Sequence, residues 1–388
     1  MMKTETEIAG AIRDAAAAKT PLELTAGGTR RALGRPVQAA ETLSLASLTN
    51  ITLYEPGELT LVVQAGMTIA ALDDLLEGEN QQLTFEPPDH RALLGSTGDP
   101  TIGGSVAVAA SGPRRLRAGA ARDALLGIRY VNGQGEVLRS GGRVMKNVTG
   151  YDLPKLMCGA YGTLGAITEI GLKVIPKVEV VKTLAVTGLD NAQAVAAMSA
   201  ALKTPTDVSA AAHLPASASK ELGFSEAVTL LRVEGFETQA AYRITVLQEA
   251  LAEFGDLVEI DSNPWPAIRD VMMFAGDDRA VWRLSVKPTD APGLVATLQD
   301  QMDCEAFFDW GGGLIWLACA EGDDAQESIV RTALSGVSGH ATLVRASDTV
   351  RAAVPVFQPE PVPIAALTER IRAEFDPAGI LNPGRMRG

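Results

Sequence analysis

The stretch 99–115, DPTIGGSVAVAASGPRR, carries mostly small side chains from Gly103 to Gly112. Small side chains over these positions leave the backbone open to close approach by a flat or extended ligand. A helix that packs tightly against a neighbouring element would show the same composition. The stretch therefore indicates either a ligand-contacting segment or a close helix contact, and both interpretations stay open at this point.

The surrounding region is rich in glycine, since sixteen of the 38 glycines lie between Gly95 and Gly171. Glycine loses more conformational entropy on folding than any other residue, so this density indicates backbone in unusual dihedral angles or in contact with something. A β domain with many loops would explain the density equally well.

Further segments have the composition of a ligand-binding lining. Residues 24–30, LTAGGTR, follow a predicted strand; their backbone N–H groups could converge on a phosphate, with the Thr29 hydroxyl and the Arg30 guanidinium as further donors. A tight turn after a strand has the same appearance. Residues 144–153 (VMKNVTGYDL) and 158–169 (CGAYGTLGAITE) place polar residues beside glycines before a predicted buried strand, which indicates a lining rather than a mere connection.

The order of these segments, with the tail NPGRM at 382–386, resembles the flavoproteins of the vanillyl-alcohol oxidase and p-cresol methylhydroxylase type. More narrowly, TIGG…ASGPRR followed by GGRVMKNVTGYDLPKLMCGAYGTLGAITE is similar to the smaller FAD-binding subunit of bacterial glycolate oxidases. The motifs cover about residues 24–175 and 376–386, and the middle is similar in layout only. The resemblance implies an α+β fold: a two-lobed p-cresol methylhydroxylase-type FAD-binding domain with an α+β cap domain.

The resemblance also implies where FAD binds. The turn Ala26–Thr29 would cradle the pyrophosphate, the stretch Thr101–Gly112 would follow the pyrophosphate and ribityl chain, and the turn at Asn382 would return to the isoalloxazine ring. Some relatives attach FAD covalently through a histidine at the position of Thr29, and threonine cannot form that bond, so noncovalent FAD is expected. The expected cofactor-binding residues are Ala26, Gly27, Gly28, Thr29, Arg30, Pro88, Thr101, Gly103, Gly104, Val106, Ser111, Gly112, Gly165, Ala166, Ile167 and Asn382.

The activity that the resemblance implies is that of an FAD-dependent oxidoreductase acting on CH–OH donors, as the FAD-binding subunit of a glycolate (2-hydroxy acid) oxidase or dehydrogenase complex. Lys146 is expected to bind a substrate carboxylate, and Tyr151 to orient the hydroxyl or accept its proton. A surface lysine and a packed ring are the alternatives. The HxGDGNxH-like metal-binding segment of many relatives that oxidise 2-hydroxy acids has no counterpart here, which argues against an independent glycolate-oxidising site.

The expected partners are a larger flavin-binding glycolate oxidase subunit and an iron–sulfur subunit. An iron–sulfur cluster usually takes four protein ligands, and this chain has three cysteines, Cys158, Cys304 and Cys319. Electrons on a flavin would therefore need an acceptor outside the chain. Two alternatives stay open: a stand-alone FAD-dependent oxidase or dehydrogenase of a sugar acid or alcohol, and a non-catalytic subunit that keeps the FAD fold as an assembly platform.

The pattern of elements changes near Pro176. From residue 178 onward, predicted strands and helices alternate without glycine clusters apart from 311–313, which is typical of a separate α+β domain. We therefore predict three parts: a two-lobed FAD-binding domain at 1–177, a cap at 178–345 that contacts substrate or another subunit, and a C-terminal segment at 346–388 that returns to the first domain. Short strands are predicted before the glycine-rich region, at 22–25, 42–45, 51–54 and 60–64. Residues 68–76 (TIAALDDLL) predict a helix whose N-terminal cap is Thr68.

Composition excludes several other classes. The net charge of −13 would repel a phosphate backbone, which argues against nucleic acid as a partner. No apolar run approaches the ~18 residues of a membrane span, and the first residues lack the basic-then-apolar order of a signal peptide. Three scattered cysteines and three scattered histidines favour neither a disulfide framework nor a metal site. We expect a cytoplasmic protein, with the inner face of the cytoplasmic membrane as the alternative location of the complex.

Overall fold

The computed structural model describes residues 4–142 and 150–387, whose strands form three sheets. The strands are β1 (Leu22–Thr25), β2 (Glu41–Ser44), β3 (Ile51–Glu55), β4 (Thr60–Gln64), β5 (Gln81–Leu83), β6 (Leu125–Val131), β7 (Val137–Gly141), β8 (Ala166–Pro176), β9 (Val180–Thr187), β10 (Ala210–Leu214), β11 (Val228–Gly235), β12 (Val258–Ile260), β13 (Ala280–Val286), β14 (Cys304–Asp309), β15 (Leu314–Cys319) and β16 (Gly339–Arg345). The α-helices are α1 (Glu5–Ala18), α2 (Ile69–Glu77), α3 (Arg91–Leu94), α4 (Ile102–Ala107), α5 (Arg115–Ala118), α6 (Leu153–Met157), α7 (Asn191–Lys203), α8 (Ala216–Ser219), α9 (Glu237–Ala250), α10 (Trp265–Arg269), α11 (Ala291–Gln301), α12 (Glu327–Leu334), α13 (Asp348–Ala353) and α14 (Val362–Phe375).

The first lobe combines the two ends of the chain. Strands β1 and β2 pair in parallel, and Leu22 of β1 also forms a parallel bridge with Leu381 near the C-terminus. Helix α1 buries Ile8 and Ile12 in the same apolar cluster as Leu22 and Leu381. The C-terminal segment therefore completes a core that the N-terminal residues begin.

The second lobe is an antiparallel sheet in the order β3-β4-β8-β6-β7, with β5 paired to β8. Helix α2 covers one face and buries Leu72 and Leu76. Its first turn is capped by Thr68, whose hydroxyl accepts a hydrogen bond from the backbone N–H of Ala71 at 3.2 Å. This is the N-terminal cap that the sequence predicted.

The cap domain is an eight-stranded antiparallel sheet in the order β12-β9-β11-β10-β14-β15-β13-β16, and the change of sheet falls between Pro176 and Val180. Helices α7, α9, α11 and α12 bury one face of this sheet. The other face packs with α10 and with side chains of the first domain, among them Leu33 and Leu93. The inner face of the cap sheet is therefore turned toward the glycine-rich region.

Buried ion pairs fix the cap on that region. Arg114 Nη2 lies 2.7 Å from Glu234 Oε1 of β11, and Arg232 Nη1 of the same strand lies 2.7 Å from Glu86 Oε1. The indole N–H of Trp310 donates to the carbonyl oxygen of Gly112 at 3.2 Å. We call Glu86, Arg114, Arg232 and Glu234 the interdomain ion network.

The expected α+β class is confirmed, although the glycine-rich region contains more regular structure than its composition indicated. Strands β6 and β7 lie there, and Gly127 of β6 lets the backbone of Gly142 approach closely. A Cβ atom on Gly127 would lie 2.7 Å from the Gly142 carbonyl oxygen, so this glycine serves strand packing.

Candidate functional site

A cleft lies where the end of β1, helix α4, the start of β8 and the C-terminal segment meet. It encloses about 780 Å³, including the part that is open to solvent. The described residues that line it are Leu24, Thr25, Ala26, Gly27, Gly28, Thr29, Arg30, Arg31, Leu33, Leu45, Ala65, Thr101, Gly103, Gly104, Ala107, Val108, Tyr161, Gly162, Gly165, Ala166, Ile167, Asn382 and Arg385.

The turn after β1 presents unpaired backbone donors at this cleft. None of the four consecutive N–H groups from Gly27 to Arg30 donates a hydrogen bond to another described residue. Gly27 packs directly on the neighbouring loop, because a Cβ there would lie 1.7 Å from the Asp99 carbonyl oxygen, and Gly28 has a left-handed φ of +76°. A run of unpaired N–H groups in a turn that admits only glycine has the character of an anion-binding nest.

Helix α4 forms the second wall, and its two glycines have different roles. The Thr101 hydroxyl accepts from the N–H of Gly104 at 3.2 Å and so starts the helix. A Cβ on Gly103 would lie 2.6 Å from the Ala65 carbonyl oxygen, whereas one on Gly104 would meet no described backbone atom within 4 Å outside its own helix. The close helix contact is therefore present at Gly103, whereas Gly104 leaves the cleft open, so a ligand contact at Gly104 stays a prediction.

Asn382 joins three segments at the third wall. Its side-chain Oδ1 accepts from the N–H of Leu24 at 2.8 Å, and its Nδ2 donates to the carbonyl oxygen of Tyr161 at 2.8 Å. Its own N–H donates to the carbonyl oxygen of Leu22 at 2.9 Å. Because these polar atoms are used within the protein, the side chain of Asn382 holds the cleft together and has little capacity left for a ligand.

Arg30 carries the unsatisfied charge of the cleft. Its Nη2 donates to the carbonyl oxygen of Pro88 at 2.7 Å, but its Nε and Nη1 are buried without a partner among the described residues. Burial lowers the pKa of Arg30 to about 10, so the guanidinium remains cationic at neutral pH. A buried cation with two free donors favours an anionic ligand.

A second cavity of about 690 Å³, again including open space, adjoins the cleft and reaches residues of the cap sheet; we call it the interdomain cavity. It shares Arg30, Leu33, Val108 and Tyr161 with the cleft. The further described residues that line it are Gly34, Pro88, His90, Ala109, Ala110, Ser111, Gly112, Arg269, Arg283, Asp309, Leu314, Trp316, Thr342, Leu343 and Val344.

Titratable side chains in this cavity are perturbed by burial. Burial lowers the pKa of His90 to about 3, with the charges of Arg30 and Arg283 acting in the same direction, so the imidazole is neutral. Burial also raises the pKa of Asp309 to about 7 and raises the pKa of Tyr161 above its ordinary value. Perturbed groups that converge on a cavity are characteristic of functional sites.

The structure brings most of the predicted cofactor-binding residues together. Those that line the cleft are Ala26, Gly27, Gly28, Thr29, Arg30, Thr101, Gly103, Gly104, Gly165, Ala166, Ile167 and Asn382. Pro88, Ser111 and Gly112 line the interdomain cavity instead. Val106 lines neither space, since it is fully buried in the core of the second lobe.

Of the two predicted catalytic residues, Tyr151 is described, and it does not lie at the cleft. Tyr151 stands next to Asp152, the residue that caps helix α6, and its side chain is 88% exposed. It lines neither the cleft nor the interdomain cavity. This position does not support the role predicted for it. Lys146 lies outside the described residues.

Three residues of the interdomain cavity were missed by the sequence analysis: His90, Arg283 and Asp309. Arg283 had a recognisable signal, since it stands in the middle of the apolar strand AVWRLSV. A charged residue inside a buried strand needs a partner or a ligand. The other two had no such signal in the sequence.

The comparisons with known proteins agree with this geometry. Residues 1–141 match a family described as FAD binding domain. Over 378 residues the chain is 32% identical to glycolate oxidase subunit GlcE of Escherichia coli K12, which covers 97% of this chain and 95% of that protein. The chain belongs to the GlcE family. FAD is the cofactor of this family, as the resemblance of the motifs implied.

Two further comparisons follow, one with a protein that matches part of the GlcE-family chain and one with a structure that shows the fold alone. Glycolate oxidase subunit GlcD of Bacillus subtilis is 33% identical over 56% of this chain and 43% of that protein. The structure of p-cresol methylhydroxylase with substrate bound superimposes with a TM-score of 0.69 at 16% identity, covering 99% of this chain and 87% of that one. The p-cresol methylhydroxylase-type fold is thereby confirmed. In the described part of the chain, no group of three or more His, Cys, Asp or Glu side chains could hold a metal ion, and no helix is long and apolar enough to cross a membrane.

Proposed function

We propose that this chain binds FAD noncovalently in the cleft and serves as the FAD-binding subunit of a complex that oxidises glycolate or a related 2-hydroxy acid. The observation that carries the proposal is the nest of four unpaired N–H groups from Gly27 to Arg30 at the cleft. The FAD pyrophosphate is dianionic, and a protein of net charge −13 needs local donors to hold it. The 32% identity to GlcE over nearly the whole chain supports the same function.

Each wall of the cleft would hold a different part of the cofactor. The turn Gly27–Arg30 would receive the pyrophosphate, and helix α4 would let the extended chain of FAD pass over Gly104. The start of β8, from Gly165 to Ile167, would supply backbone groups to a ring system. The described lining contains neither histidine nor cysteine, which supports noncovalent binding.

The interdomain cavity is where a substrate would lie, since it adjoins the cleft and shares lining residues with it. FAD held in the cleft would supply the hydride-accepting chemistry that oxidation of a substrate CH–OH group needs. The chain's own residues would exclude water and supply charge: the apolar walls include Leu314 and Trp316, and the polar groups include His90 and Arg283. This lining suits a small anion with a polar substituent.

Electrons would leave through partner subunits. Cys158, Cys304 and Cys319 are all buried and free, and burial raises the pKa of each thiol, to about 12, about 11 and about 12 respectively. Buried neutral thiols are poor metal ligands. We therefore assign the onward transfer to a larger flavin-binding subunit and an iron–sulfur subunit. Free thiols also fit a reducing compartment, which favours the cytoplasm.

The purified isolated chain is expected to show little or no glycolate turnover with oxygen, because a flavin that passes its electrons to a partner subunit should react with oxygen slowly. Coexpression with the larger flavin subunit and the iron–sulfur subunit should give a stable complex with dye-linked glycolate turnover. Rapid turnover by the chain alone, with hydrogen peroxide formed in proportion, would contradict the complex and favour a stand-alone oxidase. Full activity of a complex whose GlcE-family chain holds no flavin would favour an assembly platform.

A further inference from the structure

Arg283, like Arg30, is a cation of the interdomain cavity that forms no ion pair with a described residue. It makes no ion pair or hydrogen bond with another described residue, and its guanidinium carbon lies 5.1 Å from the ring centre of Trp310. By contrast, Arg269 in the same cavity has its Nη2 2.7 Å from Asp270 Oδ2. An unpaired guanidinium inside a protein is costly unless a ligand neutralises it.

Asp309, the acidic side chain that lines the same cavity, does not pair with Arg283. Asp309 lines the same cavity, but its Oδ1 accepts a hydrogen bond from the N–H of Trp310 at 2.7 Å, and no ion pair joins it to Arg283. Arg283 therefore lines the cavity with no ion pair to a described residue, and an external carboxylate could neutralise it. Arginine presents two parallel N–H donors, a geometry that matches a carboxylate.

His90 supplies a second unused polar group. It is 9% exposed, its edge packs on Trp316 with ring centres 5.8 Å apart, and neither ring nitrogen has a partner among the described residues. A neutral imidazole offers one N–H donor and one acceptor nitrogen. Buried nitrogens without partners are rare, and their position in a cavity indicates a ligand that bears a hydroxyl group.

We propose that the interdomain cavity binds a small 2-hydroxy monocarboxylate, whose carboxylate pairs with Arg283 and whose hydroxyl donates a hydrogen bond to His90. The inference rests on the proposed function and adds the residues that select the substrate class. A ligand held this way lies next to the FAD cleft, because the two spaces share Arg30, Val108 and Tyr161. Apolar walls at Leu314 and Leu343 would accept a short alkyl substituent.

Isothermal titration of the FAD-loaded chain with an unreactive analogue tests the proposal. The probe 2-hydroxy-2-methylpropanoate carries no hydrogen on the hydroxyl-bearing carbon, so it cannot lose a hydride. It should bind about threefold to tenfold more tightly than 2-methylpropanoate, which lacks the hydroxyl. The uncharged amide of the probe should bind at least ~10-fold more weakly, because it cannot pair with Arg283.

Two variants assign these differences to residues. Arg283→Gln should weaken binding of the probe about 10- to 100-fold, the range for loss of a charged hydrogen bond. His90→Phe, which keeps a ring against Trp316, should bind the probe and 2-methylpropanoate equally. The exposed Arg370, which has no partner among the described residues, gives the matched control: Arg370→Gln removes the same charge and should leave binding unchanged.

The outcomes separate this inference from the proposed function. Unchanged probe affinity in Arg283→Gln would overturn the carboxylate assignment, and undiminished hydroxyl discrimination in His90→Phe would overturn the assignment of His90. The flavin content of the same samples reports on the proposed function independently. A chain that purifies without flavin would contradict the proposed function, whereas a flavin-loaded chain that ignores the probe would contradict only the inference.

Discussion

A Gly104→Val protein is expected to fold normally and to lose nearly all of its FAD. Gly104 lines the cleft, and a Cβ there would lie 3.2 Å from Thr101 Oγ1 and 4.0 Å from Arg30 Cδ. Small movements of those two side chains relieve these contacts, so the protein tolerates the change. The added methyl groups would extend into the cleft where the cofactor must approach the backbone. The ratio of flavin to protein absorbance in the purified chain measures the loss.

The neighbouring glycine is the matched control. A Cβ on Gly103 would lie 2.6 Å from the Ala65 carbonyl oxygen and 2.7 Å from Ala65 Cβ. Gly103→Val should therefore lower the free energy of unfolding of the domain by about 1–3 kcal/mol or more, because the valine overpacks this contact. The yield of soluble protein should fall as well. A Gly104→Val chain that keeps its full flavin content, with an unchanged melting temperature, would contradict the placement of FAD over α4.

The second large effect is on stability: Glu86→Gln should lower the free energy of unfolding by about 3–5 kcal/mol, the range for breaking a buried ion pair. The Glu86 carboxylate accepts hydrogen bonds from Nη1 and Nη2 of Arg232, at 2.7 and 3.0 Å. It also accepts one from the backbone N–H of Arg114 at 2.7 Å. Glutamine keeps the shape but leaves two buried guanidinium groups with a single carboxylate, Glu234. Urea unfolding monitored by tryptophan fluorescence measures the difference.

The same substitution predicts a pH dependence. Burial raises the pKa of Glu86, but the charges and hydrogen bonds of Arg232 and Arg114 outweigh burial and lower it below its ordinary value of 4.5. Because the folded-state pKa is the lower one, the carboxylate stabilises the fold above about pH 4.5, and this contribution is lost as the pH falls further. The stability difference between wild type and Glu86→Gln should therefore be full at pH 7 and shrink below pH 4.5.

A surface pair serves as the control for this prediction. Glu305 and Arg279 form an ion pair in which each side chain is about a third exposed. Glu305→Gln should cost less than about 1 kcal/mol, as is usual for exposed pairs. Equal costs for the two substitutions, or a Glu86→Gln difference that does not vary with pH, would show that the interdomain ion network contributes little to docking of the cap.

Local signals in the sequence predicted the elements that build the cleft, because each depends on neighbours in the chain. Thr68 caps α2 as expected, and β1 and β4 begin and end at the predicted residues. The turn Ala26–Thr29 was recognisable because small residues follow a strand. Val106 was assigned to the lining because the stretch was treated as uniformly exposed. In helix α4 it stands about 200° from Gly104, so it faces the core instead.

The interdomain cavity could not be predicted because docking of the cap creates it. His90 and Arg283 come from different domains, and each has an ordinary local context: an imidazole after a Pro-Pro-Asp turn and an arginine in a strand. Their shared position at one cavity appears only when the two domains meet. Asn382 was predicted at the cleft, but its hydrogen bonds to Leu24 and Tyr161 had no local signal, because they join residues far apart in the sequence.

The central claim is that the cleft holds one noncovalent FAD. The most direct measurement is the absorption spectrum of both fractions after acid precipitation of the natively purified chain. We predict a yellow protein that releases about one FAD per chain into the supernatant, because the described cleft lining offers no histidine or cysteine for attachment. A colourless chain would contradict the cofactor site, and flavin that stays with the precipitate would contradict noncovalent binding.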